Sequence, residues 1–473
     1  VAILVIVTDI IAPGRRVPAL AVAFIGLAVV AVLAILVGRT PTTAFDGAYR
    51  VDDLTTYLDL LFVAVVALTL MVAPDYLTAR DLPVPEFAAV LLFALSGVML
   101  ISASGDLLVL FLGLELMVLP GYLLAGFAKH DALSTEGAIK YFLLGSFSSA
   151  IFLFGLSFIW GITGTTRIDG VSAALATMVA GSAPLTPGLA MGLAFLTTGV
   201  AFKIAAVPFH YWTPDAYQGS PTPVTGYLSI VPKVGAFALI LRLFVDALGP
   251  LAADWNIVII VLAALTMTLG NLVALSQDSV KRMLAYSSIA HTGYMLIGLA
   301  AWSSPNSQIQ GLEGLLYYGA AYAAMNLGAF AVVAALQRRT GISSQLESFA
   351  GLGRREPLLA SLMTLFLLSL TGIPPTAGFF AKAYVILAAV EAGGPAGILA
   401  IIAVLNAAIA AFYYLRVVVY MFMREPKGEP APVVLGRLMR TGLIVSALLT
   451  VVLGILPELL LPVVERAARA LTQ

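Results

Sequence analysis

Fourteen apolar runs, most of them about 20 residues long, follow one another with short breaks between them. They lie near 1–12, 18–38, 55–74, 86–104, 106–127, 136–162, 188–214, 222–246, 256–276, 282–302, 312–336, 357–389, 396–422 and 440–462. A helix of about 20 residues crosses the roughly 30 Å hydrocarbon core of a bilayer. The longest less apolar stretches are about 39–54, 163–187, 337–356 and 423–439, and none is long or polar enough for a soluble domain. Apolar residues make up 61% of the chain, charged residues 11%, and the mean hydropathy is +1.02. Soluble domains carry about 25% charged residues, so this chain cannot cover a surface that faces water. A membrane barrel would alternate apolar and polar positions over segments of about ten residues. The expectation is an all-α polytopic membrane protein of about 14 transmembrane helices. The chain opens at Val1, inside an apolar run, without Met or a cleavable signal, so residues are expected to precede it.

The basic residues sort unevenly when loops are assigned alternately to two sides. One side receives Arg15, Arg16, Arg80, Lys129, Lys281, Arg282, Arg338, Arg339, Arg354, Arg355, Arg424, Lys427, Arg437 and Arg440. The other receives Arg39, Arg50, Arg167, Arg242, Arg466 and Arg469. The richer side is expected to be cytoplasmic, with both termini opposite.

Five basic residues fit neither set of loops and fall inside the runs: Lys140, Lys203, Lys233, Lys382 and Arg416. Glu115, in "FLGLELMVLPGY", is the acid singled out there. A charge at the centre of a membrane helix costs about 2.5–3.5 kcal/mol on insertion scales, and such charges usually pair or line an ion path. Lys140 follows Glu136 by four residues, so an ordinary helix-face ion pair accounts for it as well as a relay does. Arg416 lies near the end of its run and is expected to snorkel. Glu115, Lys203, Lys233 and Lys382 are too central for that, and one acid cannot neutralise three lysines. Burial disfavours an ammonium, so buried lysines as a class can take up and release protons. A row of them, each setting its neighbour's charge, is a proton relay.

Two runs are broken by proline beside such a lysine: "AFKIAAVPFHYWTPDAYQGSPTPV" and "TGIPPTAGFFAKAYV". They stand five runs apart, the pattern of a transporter built from paired repeats. Domain limits follow: 1–85 for the first three helices, 86–250 and 251–425 for two five-helix repeats, and 426–473 for the last helix. Helices 7 and 12 are expected to be discontinuous. Backbone groups freed at a break must be satisfied by protein or by water lining a cavity. His210 and His291 are weaker relay candidates, and a satisfied core histidine accounts for either equally well. The "GLGRREP" loop lacks the strand–loop–helix setting of a phosphate site. The chain has no cysteine and three histidines, which excludes cysteine-held clusters and leaves no metal site to name. Its formal net charge is zero, so nothing points to nucleic acid.

"FLGLELMVLPGYLLAGF", "EGAIKYFLLGSFSSAIFLFG", "GVAFKIAAVPFHYWTPDAYQGSPTPVTGYLS", "GNLVALSQDSVKRMLAYSSIAHTGYMLIG" and "SLTGIPPTAGFFAKAYVILAAV" resemble the antiporter-like membrane subunits of respiratory complex I. The likeness covers nearly the whole chain. It implies a fourteen-helix core with two inverted repeats and proton half-channels joined by a polar axis. By that resemblance Glu115 is the fifth-helix glutamate and Lys203 its seventh-helix partner. Lys233 is the central lysine, Lys382 the residue at the exit, and Lys140 a lesser sixth-helix lysine. The largest subunit of this kind carries a long lateral helix and the middle one a glutamate where Lys382 stands, so the remaining, third subunit fits best. The resemblance further implies a bacterial inner membrane and no cofactor in this chain. NADH, FMN, iron–sulfur clusters and a quinone are then expected in partner subunits, and other membrane subunits as neighbours, antiporter-like paralogues among them. Two alternatives stay open: a subunit of a multi-subunit cation/proton antiporter, and a non-pumping scaffold.

Overall fold

The computed structural model describes residues 1–181, 185–337, 343–426 and 433–472. Arg338, Arg339 and Lys427, assigned above to the basic side, lie outside the described residues. The chain opens with α1 (Ala2–Ile11) and α2 (Arg16–Val37), then a hairpin of β1 (Thr42–Ala44) and β2 (Tyr49–Val51). The next four helices are α3 (Asp53–Thr78), α4 (Val84–Ser102), α5 (Leu107–Ala125) and α6 (Ala132–Thr163). Loop aspartates start several of them: Asp52, Asp106 and Asp131 each accept a backbone N–H of the first turn. A short helix, α7 (Ile168–Ala180), occupies much of the less apolar stretch 163–187. It buries Ile168, Val171 and Leu175, a one-sided pattern too short to have registered as a membrane run.

The seventh run divides into α8 (Pro187–Lys203) and α9 (Trp212–Gly219). The eighth comprises α10 (Thr222–Leu228), α11 (Val231–Ile240) and a π-helical turn, Leu241–Ala247. Then come α12 (Ala252–Leu275), α13 (Val280–Trp302) and α14 (Gln308–Gln337). After the four-residue α15 (Leu352–Arg355), the twelfth run divides into α16 (Pro357–Thr371) and α17 (Ala377–Ala392). The last helices are α18 (Gly394–Met423), α19 (Arg437–Ile455) and the short α20 (Leu461–Arg469). Among the described residues, ten helical segments are individually long and apolar enough to cross a membrane.

Burial grades from the middle outward. The most apolar windows of Thr222–Ala247 and α14 are wholly buried, whereas that of α2 is 17% buried. The central helices therefore pack on protein all round, and the outer ones present Leu, Ile, Val and Phe to lipid or to a partner. Loops meet in two separate sets. Arg16 reaches Thr78, Arg80 reaches the carbonyl of Gln337, and Ser279 bridges to Gln345 at the basic end. The hairpin meets Ser104 at the other end, where Asp106 bridges to Arg167.

Two basic residues assigned above to loops are buried instead. Arg242 lies in the π-helical turn and is fully buried. Its guanidinium meets Asp52 at 2.8 Å and Asp246 at 3.2 Å, donates to the carbonyl of Ser102 at 2.9 Å, and shares Asp246 with Arg50. Carboxylates from two elements make burial of that charge tolerable. Lys281, also buried, donates to the carbonyls of Gln218 and Ser220 at 3.0 and 2.7 Å.

Candidate functional site

Lys203 is the last residue of α8, where the helix leaves carbonyls unpaired and its dipole favours a cation. Its Nζ turns to α6, donating to Ser149 Oγ at 2.7 Å and to the carbonyl of Gly145 at 3.3 Å. The break that follows, residues 204–211, contains a cis Val207–Pro208 bond and Ala205 at φ +56°. Its freed groups are collected one by one. Thr292 Oγ1 donates to the carbonyl of Ile204 at 2.9 Å, Val207 N donates to Thr266 Oγ1 at 3.0 Å, and Trp212 Nε1 donates to the carbonyl of Phe202 at 3.1 Å.

Lys233, on α11, is enclosed by α13. Its Nζ donates to the carbonyl and hydroxyl of Ser288 at 2.6 and 2.7 Å and to Thr292 Oγ1 at 3.0 Å. Thr292 therefore joins Lys233 to the break after Lys203 through one hydroxyl. Lys382, on α17, caps the other broken helix. It donates to the carbonyls of Leu370 and Thr371 at 3.0 and 2.8 Å, at the C-terminal end of α16, and lies 4.8 Å from the ring centre of Tyr294. Gly372 makes that approach possible: it sits at φ +94°, and a Cβ there would be 3.0 Å from Lys382 Cδ.

All three ammonium groups are thus buried and held by neutral oxygens; among the described residues none has a carboxylate within 4 Å. Glu115, on α5, is not in contact with Lys203, although its charge acts there and on Tyr122 and Tyr141. It is half-buried on the flank of the bundle, between exposed Leu112 and Leu116, and its Oε1 has no hydrogen-bond partner. Buried Tyr122, Tyr227 and Thr213 also carry hydroxyls without a partner. Tyr122 packs edge-on against Tyr141 with ring centres 4.6 Å apart, and Tyr141 stacks on Trp212 at 4.3 Å.

His291 lies one turn from Ser288 on α13 and close enough to Lys233 and Lys382 for both charges to act on it. Its Nδ1 shares a hydrogen bond with Tyr318 at 2.6 Å, its Nε2 one with Tyr414 at 3.2 Å, and Tyr414 reaches Ser287. It therefore falls between two of the lysines, whereas buried His210 stacks on exposed Tyr211 away from these contacts. Lys140 pairs with Glu136 at 2.7 Å, the helix-face pair, and with Asp215 of α9 at 2.7 Å. Arg416 donates to the carbonyls of Leu275 and Gln277, at the end of α12.

The sequence reading passed over several groups. Asp59 is buried within α3 and accepts from Ser102 Oγ at 2.6 Å. Its place in the third apolar run was the available signal. Arg242 likewise stands inside the eighth run. The partners of Asp215 come from the distant helices α6 and α13 and those of Lys281 from the end of α9, and no local pattern announces them.

Residues 104–410 match the family described as NADH:quinone oxidoreductase/Mrp antiporter, TM. NADH-quinone oxidoreductase subunit N of Trichlorobacter lovleyi is 42% identical over 436 residues, 91% of this chain and 86% of the relative. The protein named NADH-quinone oxidoreductase subunit N 2 in Rhizobium meliloti is 40% identical over 470 residues, 98% of this chain and 94% of that one. A chain of respiratory complex I from Thermus thermophilus, solved with bound aureothin, superposes with a TM-score of 0.79 at 32% identity, covering 98% of this chain and 96% of its own. The same helices that hold Lys203, Lys233 and Lys382 lie within the matched region, and the chain belongs to the NADH:quinone oxidoreductase/Mrp antiporter membrane family, among the relatives most similar to subunit N.

Proposed function

We propose that this chain is a proton-translocating membrane subunit of an NADH-quinone oxidoreductase. Protons pass along Glu115, Lys203, Lys233 and Lys382, with His291 between the last two, and leave on the side opposite the basic loops. The carrying observation is the set of three buried lysines held by hydroxyl and carbonyl oxygens, two of them at helix breaks. A lysine so held can lose its proton without stranding a buried carboxylate, and can regain it without forming a permanent ion pair. Thr292, touching both Lys233 and the carbonyl after Lys203, supports direct communication between them. His210 and Lys140 are assigned supporting roles outside the line of transfer. The two breaks, each with an X–Pro bond beside a lysine, support reading 86–250 and 251–425 as inverted repeats.

Electron transfer belongs to partner subunits holding NADH, FMN, iron–sulfur clusters and quinone. Moving one charge against 100 mV requires about 2.3 kcal/mol, and this energy reaches the chain from neighbours. The exposed Leu112 and Leu116 on either side of half-buried Glu115 support such a neighbour at this flank. Relatives named for NADH-quinone oxidoreductase at 40–42% identity favour this reading over a cation/proton antiporter subunit. The test is Lys203→Ala in the assembled oxidoreductase, in sealed vesicles. The expected result is a complex that assembles and pumps fewer protons per electron. Unchanged pumping would remove Lys203 from the relay.

A further inference from the structure

Two helices bridge the break between α8 and α9, and each holds a lysine on one side of it and α9 on the other. On α6, Gly145 and Ser149 receive Lys203 before the break. Nine residues before Ser149, about 13 Å along a helix axis, Lys140 donates to Asp215 Oδ2 at 2.7 Å on the far side. On α13, Thr292 receives Lys233 and donates to the carbonyl of Ile204. Further back on the same helix, Arg282 donates to Asp215 Oδ1 at 2.8 Å and to Gln218 Oε1 at 2.9 Å. Lys281 beside it holds the carbonyls of Gln218 and Ser220, at the end of α9.

α9 has eight residues, too few to persist as a helix by itself. Its place is set by what grips it, and Asp215 is where α6 and α13 grip the same carboxylate. The two ion pairs there are about one-third exposed, with side-chain exposures of 43%, 31% and 30% for Lys140, Asp215 and Arg282. Pairs of that kind are weak and reversible. The fully buried Arg242 pairs at the other end have the opposite character. The inward face of α9 itself carries Thr213, completely buried with an unpartnered hydroxyl, and Trp212, which stacks on Tyr141 of α6.

We propose that Asp215 is the latch of a gate between the basic end and Lys203. Bridged to both Lys140 and Arg282, it holds α9 against α6 and α13 with Thr213 facing inward. When the bridge opens, α9 turns about the 204–211 break and water reaches Thr213 and, behind it, Lys203. Asp215 is a positioning residue here: it carries no proton along the relay. Because α6 and α13 also bind Lys203 and Lys233, the charge on those lysines and the position of α9 act on each other through rigid helices. The inference rests on the proton-relay reading.

The chain has no cysteine, so Thr213→Cys places a single thiol in it. The assembled oxidoreductase carrying Thr213→Cys is treated with a membrane-impermeant maleimide from the side of the basic loops, and labelling of this chain is timed. Adding Asp215→Asn is expected to speed labelling by about tenfold, while Asp215→Glu, which keeps the carboxylate, stays within about twofold. In the cysteine-free background, Asp215→Asn lowers the protons moved per electron and Asp215→Glu restores them. A pair that served only to hold the fold would lower the amount of complex and leave that ratio alone. If Asp215→Asn prevents assembly, Arg282→Gln with Thr213→Cys is read in the same way. Labelling and proton ratio both unchanged in the variant would overturn the latch. Lys203→Ala measured alongside separates the two claims: full pumping there defeats the relay, whereas the labelling rates judge the gate independently.

Discussion

Lys203, Lys233 and Lys382 hold their protons against oxygens that carry no formal charge, and Arg242 is held by two carboxylates. The difference separates a group that can exchange a proton from one that anchors the fold. Arginine does not deprotonate in proteins, and breaking a buried pair by removing one partner costs about 3–5 kcal/mol. Arg242→Gln is therefore expected to strip Asp52 and Asp246 of their main partner and lower the thermal stability of the purified complex by several degrees, about the scale of such a loss. Arg469→Ala, which removes an exposed pair with Glu465, should change it by less than about 1 kcal/mol. Equal melting curves for Arg242→Gln and the parent would contradict the anchoring role. The sequence exposed the three lysines because a charge among apolar residues is conspicuous anywhere in a run. It did not expose Arg242 as an anchor, because Asp52 is 190 residues away and comes near only through the packing of α3 on the π-helical turn. Lys203 and Glu115, partners by the resemblance, make no ion pair within 4 Å; α6 supplies the oxygens that Lys203 uses, and the Glu115 charge acts on it from farther off.

The broken helices were legible as elements from proline and glycine at membrane depth, but the way their ends are satisfied was not. α8 places its own last residue, Lys203, on a neighbouring helix; α16 receives Lys382 from the half-helix that follows it. In both, a cation sits at a helix C-terminus, where the dipole favours it. The second arrangement leans on Gly372. Gly372→Ala would force a residue with Cβ to φ +94°, costing about 1–2 kcal/mol, and would crowd the aliphatic stem of Lys382. The expected outcome is an assembled complex with a reduced proton yield per electron. Gly397→Ala is the control, since a Cβ there meets only the carbonyl of Ala389 at 3.6 Å, an ordinary contact. If both variants pump alike, the seating of Lys382 on α16 is not part of the transfer. α7 and the hairpin escaped the sequence reading for a simpler reason: both lie in short, mixed stretches whose order comes from what they pack against.

Across the whole molecule the three lysine side chains are buried, Lys233 on a wholly buried helix and Lys203 and Lys382 on half-helices that also carry exposed residues, while Glu115 stands half-buried on the flank. The hydrophobic runs made the membrane architecture readable before any contact was known; the arrangement of charges within it depends on which faces turn inward, which low amphipathicity conceals. A wholly buried helix such as α14 carries no stripe to orient it. Transfer across such an interior requires that the central lysine give up its proton, and Lys233 is enclosed most completely by neutral donors and acceptors. The direct measurement is proton translocation per electron pair in sealed vesicles containing the oxidoreductase with Lys233→Arg, which keeps the positive charge and cannot release it. The expected result is normal assembly with fewer protons translocated per electron pair; a yield equal to that of the parent complex would contradict proton transfer through Lys233.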